Sequence, residues 1–138
     1  MLTARRQQKQ RLEALQGMSL FQGCTRGELA RIERLGTPIA VRAGRTLIEQ
    51  GTDARQCFVV RDGIAVAARD GHLLGAIEAG SIAGEMALLD RAARNATVVA
   101  DTPMDVIVFD RREFATLFEV APHLRTTFDR IADARRGQ

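Results

Sequence analysis

Glycine spacing in the middle of the chain restricts the possible folds more than any other feature of the sequence. Eight of the twelve glycines lie between residues 36 and 84, where they separate the short runs TPIAV, TLIEQ, QCFVV, IAVAA and LLGAI. Short β-branched runs bounded by Gly and RDG turns are typical of strands rather than helices. Two further strand-like runs, RNATVVAD and MDVIVFD, follow with Asp101-Thr102-Pro103 between them. We therefore predict an eight-stranded antiparallel β-barrel of the jelly-roll type.

Helical periodicity is found on both sides of this strand region. Residues 3–16 are predicted to form a polar helix with a narrow apolar edge. Thr25, with Glu28 three positions later, is a capping-box pattern that predicts the start of a second helix. Beyond residue 110, two more helices are predicted on either side of Pro122. The expected class is α+β, with N-terminal helices, a β-barrel and two C-terminal helices.

Length and composition are those of one globular domain. The 138 residues are 46% hydrophobic and 27% charged, which is sufficient for a buried core. No apolar run approaches the ~20 residues that span a bilayer, and the basic N-terminus lacks the apolar stretch of a secretory signal, so we expect no membrane partner. Cys24 and Cys57 lie outside any metal or redox spacing, and they predict reduced thiols in a cytoplasmic protein.

Charge and motif content argue against nucleic-acid binding and catalysis. The net charge of +3 divides into +4 for residues 1–36, −3 for 37–110 and +2 for 111–138, without a basic stripe interleaved with aromatics. His72 and His123 stand alone, whereas a cupin-type metal site needs a cluster of ligands. The sequence contains no recognisable Ser-His-Asp or Cys-His motif, Walker loop or dinucleotide fingerprint. We expect no direct binding of nucleic acid, no metal and no enzymatic activity.

The segment GEMALLDRAARNATVVA, residues 84–100, differs from the strands around it. Good helix formers follow Gly84, but they allow only one or two turns. The unpaired N–H groups of a first turn favour an anion, and Arg94 supplies a planar, bidentate cation a loop away. Glu85 is costly beside an anion unless it accepts a hydrogen bond from a sugar hydroxyl and orients Arg94. A ligand with a phosphate close to a ribose satisfies all three groups, and a structural Arg94–Glu85 salt bridge is the alternative.

This segment resembles the phosphate-binding cassette of the cyclic nucleotide-binding domain. That domain is shared by catabolite-activator-type regulators, the regulatory subunit of cAMP-dependent protein kinase and nucleotide-gated channels. LFQGCTRGELARIERLG resembles the first helices of the family, RAGRTLIEQG its hairpin and CFVVRDGIAV its strand–turn–strand unit. The resemblance covers roughly residues 18–134, and it predicts a polar helix at 1–17 followed by a stand-alone binding domain at 18–138.

The resemblance also implies a set of ligand contacts. The backbone after Gly84 would hold the cyclic phosphate, the arginine would pair with its exocyclic oxygens, and the glutamate would bind the ribose 2′-hydroxyl. An amide contact to the phosphate and two apolar contacts to the ribose and base complete the set. Its members are Gly84, Glu85, Met86, Ala87, Arg94, Asn95, Leu74 and Ala67.

Several positions depart from the family pattern. Asn95 stands where the family carries Ala, Ser or Thr, and since a Thr there usually accompanies cGMP preference, the choice of base stays open. Ala83 replaces a larger residue, and the loop DRAAR adds a second cation, Arg91, more simply explained as a solvated loop residue. The chain ends about where the last helix of activator-type relatives would begin to contact the adenine. Thr126 and Thr127 come too early in that helix to replace those contacts.

The predicted function is that of a non-enzymatic sensor domain for a cyclic mononucleotide, cAMP or alternatively cGMP. Binding would shift the packing of Leu88 and Leu89 against the two C-terminal helices, which would report occupancy to a second copy of the chain or to an effector protein. Two alternatives remain open at this point. The barrel is a dimerisation or interaction module without nucleotide, or the chain is a fragment of a longer regulator whose DNA-binding helix-turn-helix lies elsewhere.

Overall fold

The structure, a computed structural model, describes residues 2–136. The described residues form five helices: α1 (Leu2–Gln16), α2 (Arg26–Leu35), α3 (Glu85–Asp90), α4 (Arg111–Val120) and α5 (Leu124–Arg136). They also form eight strands: β1 (Thr37–Val41), β2 (Thr46–Ile48), β3 (Gln56–Asp62), β4 (Ala65–Arg69), β5 (His72–Ile77), β6 (Ile82–Ala83), β7 (Thr97–Ala100) and β8 (Met104–Asp110). None of these helices is both long enough and apolar enough to cross a membrane.

The strands form two four-stranded antiparallel sheets with the orders β1-β8-β3-β6 and β2-β7-β4-β5. This arrangement confirms the predicted α+β class and jelly roll, with one difference: the two sheets are not closed into a continuous barrel. Strand β6 has only two residues, and no apolar run in the sequence predicted it. Pro38 lies within β1, and a proline is tolerated there because β1 is an edge strand.

The central strands of the first sheet are buried on both faces. On β3, Phe58 and Val60 point into the core between the sheets, whereas Cys57 and Val59 point into the core beneath the helices. Strand β8 alternates in the same way along its sequence VIVF. Burial on both faces explains why these two strands are continuous apolar runs. The molecule therefore has three layers: one sheet, the central sheet and the helices.

Capping boxes fix the starts of two helices. The predicted pair is confirmed at α2, where the Thr25 backbone N–H donates to Glu28 at 2.7 Å and the Glu28 N–H donates to Thr25 Oγ1 at 3.1 Å. A second box starts α4, where Asp110 and Glu113 exchange hydrogen bonds of 2.7 and 2.9 Å. Because Asp110 is also the last residue of β8, this cap fixes the angle at which the C-terminal helices leave the sheet.

The turn between β3 and β4 gives a stability prediction. Gly63 has φ +91°, and a Cβ there would lie 2.3 Å from the carbonyl oxygen of Pro103, whereas Gly44 has φ +89° with nothing within 4 Å. We expect Gly44→Ala to cost about 1 kcal/mol for its left-handed backbone, and Gly63→Ala to cost about 1–3 kcal/mol more for the clash. Urea unfolding of both variants measures this difference, and equal losses would contradict it.

Candidate functional site

The start of α3 is built around a glycine. Gly84 is the N-cap residue of this helix, with φ +89° and ψ 0°. A Cβ at this position would lie 2.7 Å from Arg94 Nη1 and 3.0 Å from Ile48 Cδ1. Glycine therefore meets two requirements here, the left-handed backbone and the close approach of a guanidinium group.

Arg94 is buried without a carboxylate partner. Its side chain is only 6% exposed, and its guanidinium donates to the carbonyl oxygen of Gly84 at 2.8 Å and to that of Gln56. Within residues 2–136, no acidic side chain lies within ion-pair distance of it. Burial lowers the pKa of Arg94, and the nearby Glu85 charge opposes that shift. The two carbonyl groups hold the guanidinium in place but leave its positive charge unneutralised.

Glu85 is the most deeply buried ionisable group of the site. Its side chain is 0% exposed, and its Oε1 accepts a hydrogen bond from Arg135 Nη1 at 2.5 Å. Its Oε2 is buried, and no hydrogen-bond partner for it is found among residues 2–136. Burial raises the pKa of Glu85, while the charge of Arg135 lowers it in part. The sequence predicts that Glu85 orients Arg94, but no hydrogen bond joins the two described side chains, and Glu85 Oε1 binds Arg135 instead.

The last turn of α5 is attached to the cassette through two arginines, Arg135 and Arg136, here called the arginine latch. Arg135 also donates to the carbonyl oxygen of Ile82 at 2.6 Å. Arg136 pairs with Asp90 at the end of α3, with one hydrogen bond from Nε of 3.2 Å. The latch joins the C-terminus of α5 to both ends of α3. Arg135 and Glu85 are 50 positions apart in the sequence, so no local pattern predicts their contact.

A cavity opens beside these groups, between the β4–β5 hairpin, β7 and the start of α3. It encloses about 210 Å³. Seven of the eight predicted contact residues line it, and Glu85 is the exception because it lies buried behind the wall. Residues that the sequence analysis missed also line it, including two more arginines. The complete lining is Ile48, Ala67, Arg69, Leu74, Gly75, Ala76, Ile77, Ala83, Gly84, Met86, Ala87, Arg94, Asn95, Ala96, Val98 and Arg135.

Most of the described residues that line this cavity are apolar, and the charged residues among them are all arginines. Arg69, Arg94 and Arg135 contribute the charge, and no lining residue carries a carboxylate. Apolar walls with a few convergent polar groups are typical of small-molecule sites. Thr126 and Thr127 of α5 are absent from the lining, so α5 reaches the cavity through Arg135 instead. The arrangement suits an anionic ligand with an apolar face.

The family comparison agrees with this geometry. The family model described as the cyclic nucleotide-binding domain matches residues 38–120. The chain belongs to the cyclic nucleotide-binding domain family. The matched range includes the whole β-sandwich from Pro38 onward, the cassette and α4, and it confirms the resemblance drawn from the sequence.

Relatives carry this domain within longer proteins. The chain is 40% identical over 73 residues to the cGMP-dependent protein kinase egl-4 of Caenorhabditis elegans, which covers 53% of this chain and 9% of the kinase. It is 35% identical over 126 residues to the acetyltransferase Pat of Mycolicibacterium smegmatis, covering 88% of this chain and 37% of that protein. A solved cAMP-binding acyltransferase from Mycobacterium smegmatis superposes with a TM-score of 0.72 at 32% identity, covering 93% of this chain and 41% of the other.

The buried carboxylate gives a pH prediction. Burial raises the pKa of Glu85 above the ordinary 4.5, so the folded state binds this proton more tightly than the unfolded state does. The free energy of unfolding, relative to that of Glu85→Gln, is therefore expected to rise as the pH falls through the folded pKa toward 4.5. Thermal unfolding of both proteins from neutral to mildly acidic pH measures this difference. A difference that stays constant with pH would contradict the prediction.

Proposed function

We propose that the chain is a sensor domain that binds a cyclic mononucleotide in the cavity beside α3, with cAMP as the first candidate, and signals through α4 and α5. The binding unit is proposed to be residues 18–138, and residues 1–17 are proposed to be a separate polar segment that contains α1. The proposed contacts are those that the family resemblance implied, with the phosphate at Arg94 and the start of α3, the ribose hydroxyl at Glu85, and the base near Ala67 and Leu74.

The observation that carries this proposal is the buried charge of Arg94. A guanidinium that is 6% exposed and lacks an acidic partner is costly. It lies on the wall of an otherwise largely apolar cavity, inside the segment that matches the family model. The exocyclic oxygens of a cyclic phosphate would supply the missing negative charge through charge-assisted hydrogen bonds.

Glu85 supports a ribose contact and links it to the C-terminal helix. Its Oε2 lacks a hydrogen-bond donor, and a ribose 2′-hydroxyl is a donor of the required kind. Arg135 lines the cavity and binds this carboxylate, whereas Glu85 itself does not line the cavity. A ligand that reaches Glu85 is therefore proposed to displace Arg135. The present volume of about 210 Å³ is below the ~300–1,000 Å³ usual for such sites, and moving Arg135 would enlarge it.

Displacement of Arg135 gives a physical route for the signal. The latch joins the last turn of α5 to the cassette, and Leu88 of α3 lies in the same core as Leu124 and Phe128 of α5. When the arginine latch opens, α5 loses its hydrogen bonds and ion pairs to the cassette. The apolar contacts between α3 and α5 can then rearrange. Ligand binding then shifts the population between a latched and a released α5.

The choice of cAMP over cGMP as the proposed ligand rests on the identity of residue 95 and on the extent of the similarity to two relatives. In the family, a Thr at this position usually accompanies cGMP preference, and this chain has Asn95. The acyltransferase described as cAMP-binding is similar along 93% of the chain, whereas the match to the cGMP-dependent kinase covers 53%. These points favour cAMP, and both nucleotides belong in the binding test.

The output of this domain is proposed to pass to another protein unit through α4 and α5, either a second copy of the chain or an effector. The domain itself is proposed to be non-enzymatic, although the relative named acetyltransferase Pat is an enzyme by its name. The alternative from another class is an interaction module without nucleotide. Melting temperature separates the two, because only a true ligand raises it with increasing concentration.

Binding at Arg94 is tested by calorimetric titration with cAMP and cGMP. We expect the wild-type chain to bind cAMP, and Arg94→Ala to lower the affinity on the order of 100-fold, because it removes the charged donor to the phosphate. The control is Arg31→Ala, an exposed position on α2, which should leave the affinity unchanged. Wild type that binds neither nucleotide would overturn the proposed function.

The latch is tested by Arg135→Met, which keeps an apolar stem but removes the charge. Because the variant no longer competes for Glu85, we expect cAMP to bind about 3–10-fold more tightly. Amide exchange in α5 without ligand should also become faster. Arg130→Met, at an exposed position of the same helix, is the matched control. If Arg135→Met weakened binding instead, Arg135 would be a ligand contact rather than a competitor.

A further inference from the structure

Arg69 is a cationic group of the cavity that the family pattern did not identify. It is the last residue of β4, it is half-buried, and it lines the same cavity as Arg94. Its Nε donates to the backbone carbonyl oxygen of Asn95 at 2.8 Å. The guanidinium of Arg69 is thus attached to the residue that directly follows Arg94.

The turn beside Arg69 is held rigidly. Asp70 has φ +52°, and it exchanges two hydrogen bonds with Gln50, one of 2.8 Å to its carboxylate and one of 3.0 Å from its backbone N–H. The Asp70 carboxylate is therefore engaged by an amide rather than by its neighbour Arg69. Within the part of the chain that the structure describes, no acidic group lies within ion-pair distance of Arg69. No acceptor is found there for its two terminal nitrogens either.

The hydrogen bond to Asn95 fixes the Nε edge of the Arg69 guanidinium and leaves its two terminal nitrogens available. Arginine has five N–H donors in a fixed fork, and here Nε is used by Asn95 while Nη1 and Nη2 are not. Of the three arginines on the cavity wall, Arg135 is neutralised by Glu85, whereas Arg94 and Arg69 are not paired with any described acid. The Arg69 guanidinium is hydrogen-bonded to Asn95, the residue that follows Arg94, so the two unpaired cations belong to one part of the cavity wall.

We propose that Arg69 is a second phosphate contact of this site and donates to one exocyclic oxygen of the cyclic phosphate while Arg94 donates to the other. This inference rests on the proposed function and names a contact beyond it. A cyclic phosphate diester carries one negative charge shared by two exocyclic oxygens, so each oxygen can accept from a different guanidinium group. If each arginine binds a different exocyclic oxygen, replacing one oxygen affects only the hydrogen bond to one of the two arginines.

The test uses the two phosphorothioate diastereomers of cAMP, in each of which sulfur, a weaker acceptor, replaces one exocyclic oxygen. Calorimetry compares wild type, Arg69→Gln, Arg69→Lys and the control Arg45→Gln, an exposed position. Arg69→Gln is expected to weaken cAMP binding about 10-fold or more. In wild type, each phosphorothioate should bind more weakly than cAMP. In Arg69→Gln, this loss of affinity should disappear for the diastereomer whose sulfur replaces the oxygen bound by Arg69, and it should remain for the other diastereomer. Arg69→Lys, which keeps the charge without the fork, should give an intermediate loss.

The other outcomes overturn the inference in distinguishable ways. If Arg69→Gln weakened cAMP and both phosphorothioates by the same factor, Arg69 would only position Asn95 and would not touch the phosphate. Unchanged affinities in both Arg69 variants would remove any role in binding. If wild type bound none of these nucleotides, the proposed function would fail together with this inference, whereas wild-type binding with unaffected Arg69 variants would defeat the inference alone.

Discussion

The fully buried Glu85 carboxylate is the constraint on which the rest of the site depends. A carboxylate withdrawn from water is strongly destabilising unless its charge is paired and its oxygens accept hydrogen bonds. Arg135 meets half of that requirement through Oε1, and Oε2 stays without a partner. Because Arg135 belongs to the last turn of α5, its ion pair with Glu85 joins the C-terminal helix to the cassette.

The neighbouring cation is held by a different kind of contact. Arg94 binds two backbone carbonyls, one of them from Gly84, and the left-handed conformation of that glycine starts α3. The guanidinium, the turn and the short helix therefore depend on one another, which explains how α3 is stable with only six residues. Carbonyl dipoles fix the position of the Arg94 guanidinium without cancelling its charge, so an anion can bind to Arg94 without displacing a carboxylate from it.

Local patterns predicted the fold well, because the features that determine it are local. Five short runs separated by glycines and two further apolar runs before residue 111 predicted seven of the eight strands, and the Thr25–Glu28 spacing predicted the start of α2. Strand β6 was missed because two residues form no pattern, and the open sandwich could not be distinguished from a closed barrel by strand count. Contacts between distant segments account for the errors in the site. Arg135 is a basic residue in a final helical turn, and in the sequence it looks like any other C-terminal arginine.

The same physics explains why a buried ion pair suits a switch better than a structural anchor. Its attraction only partly offsets the cost of removing two charges from water, so the pair opens more readily when another group binds or hydrates one of the partners. The Arg135 side chain is 32% exposed while Glu85 is 0% exposed. Release of the pair therefore returns the arginine to solvent easily and leaves the carboxylate in need of a donor. A ribose hydroxyl is such a donor, and since it is neutral, it can enter a site whose wall already carries two unpaired cations for the phosphate.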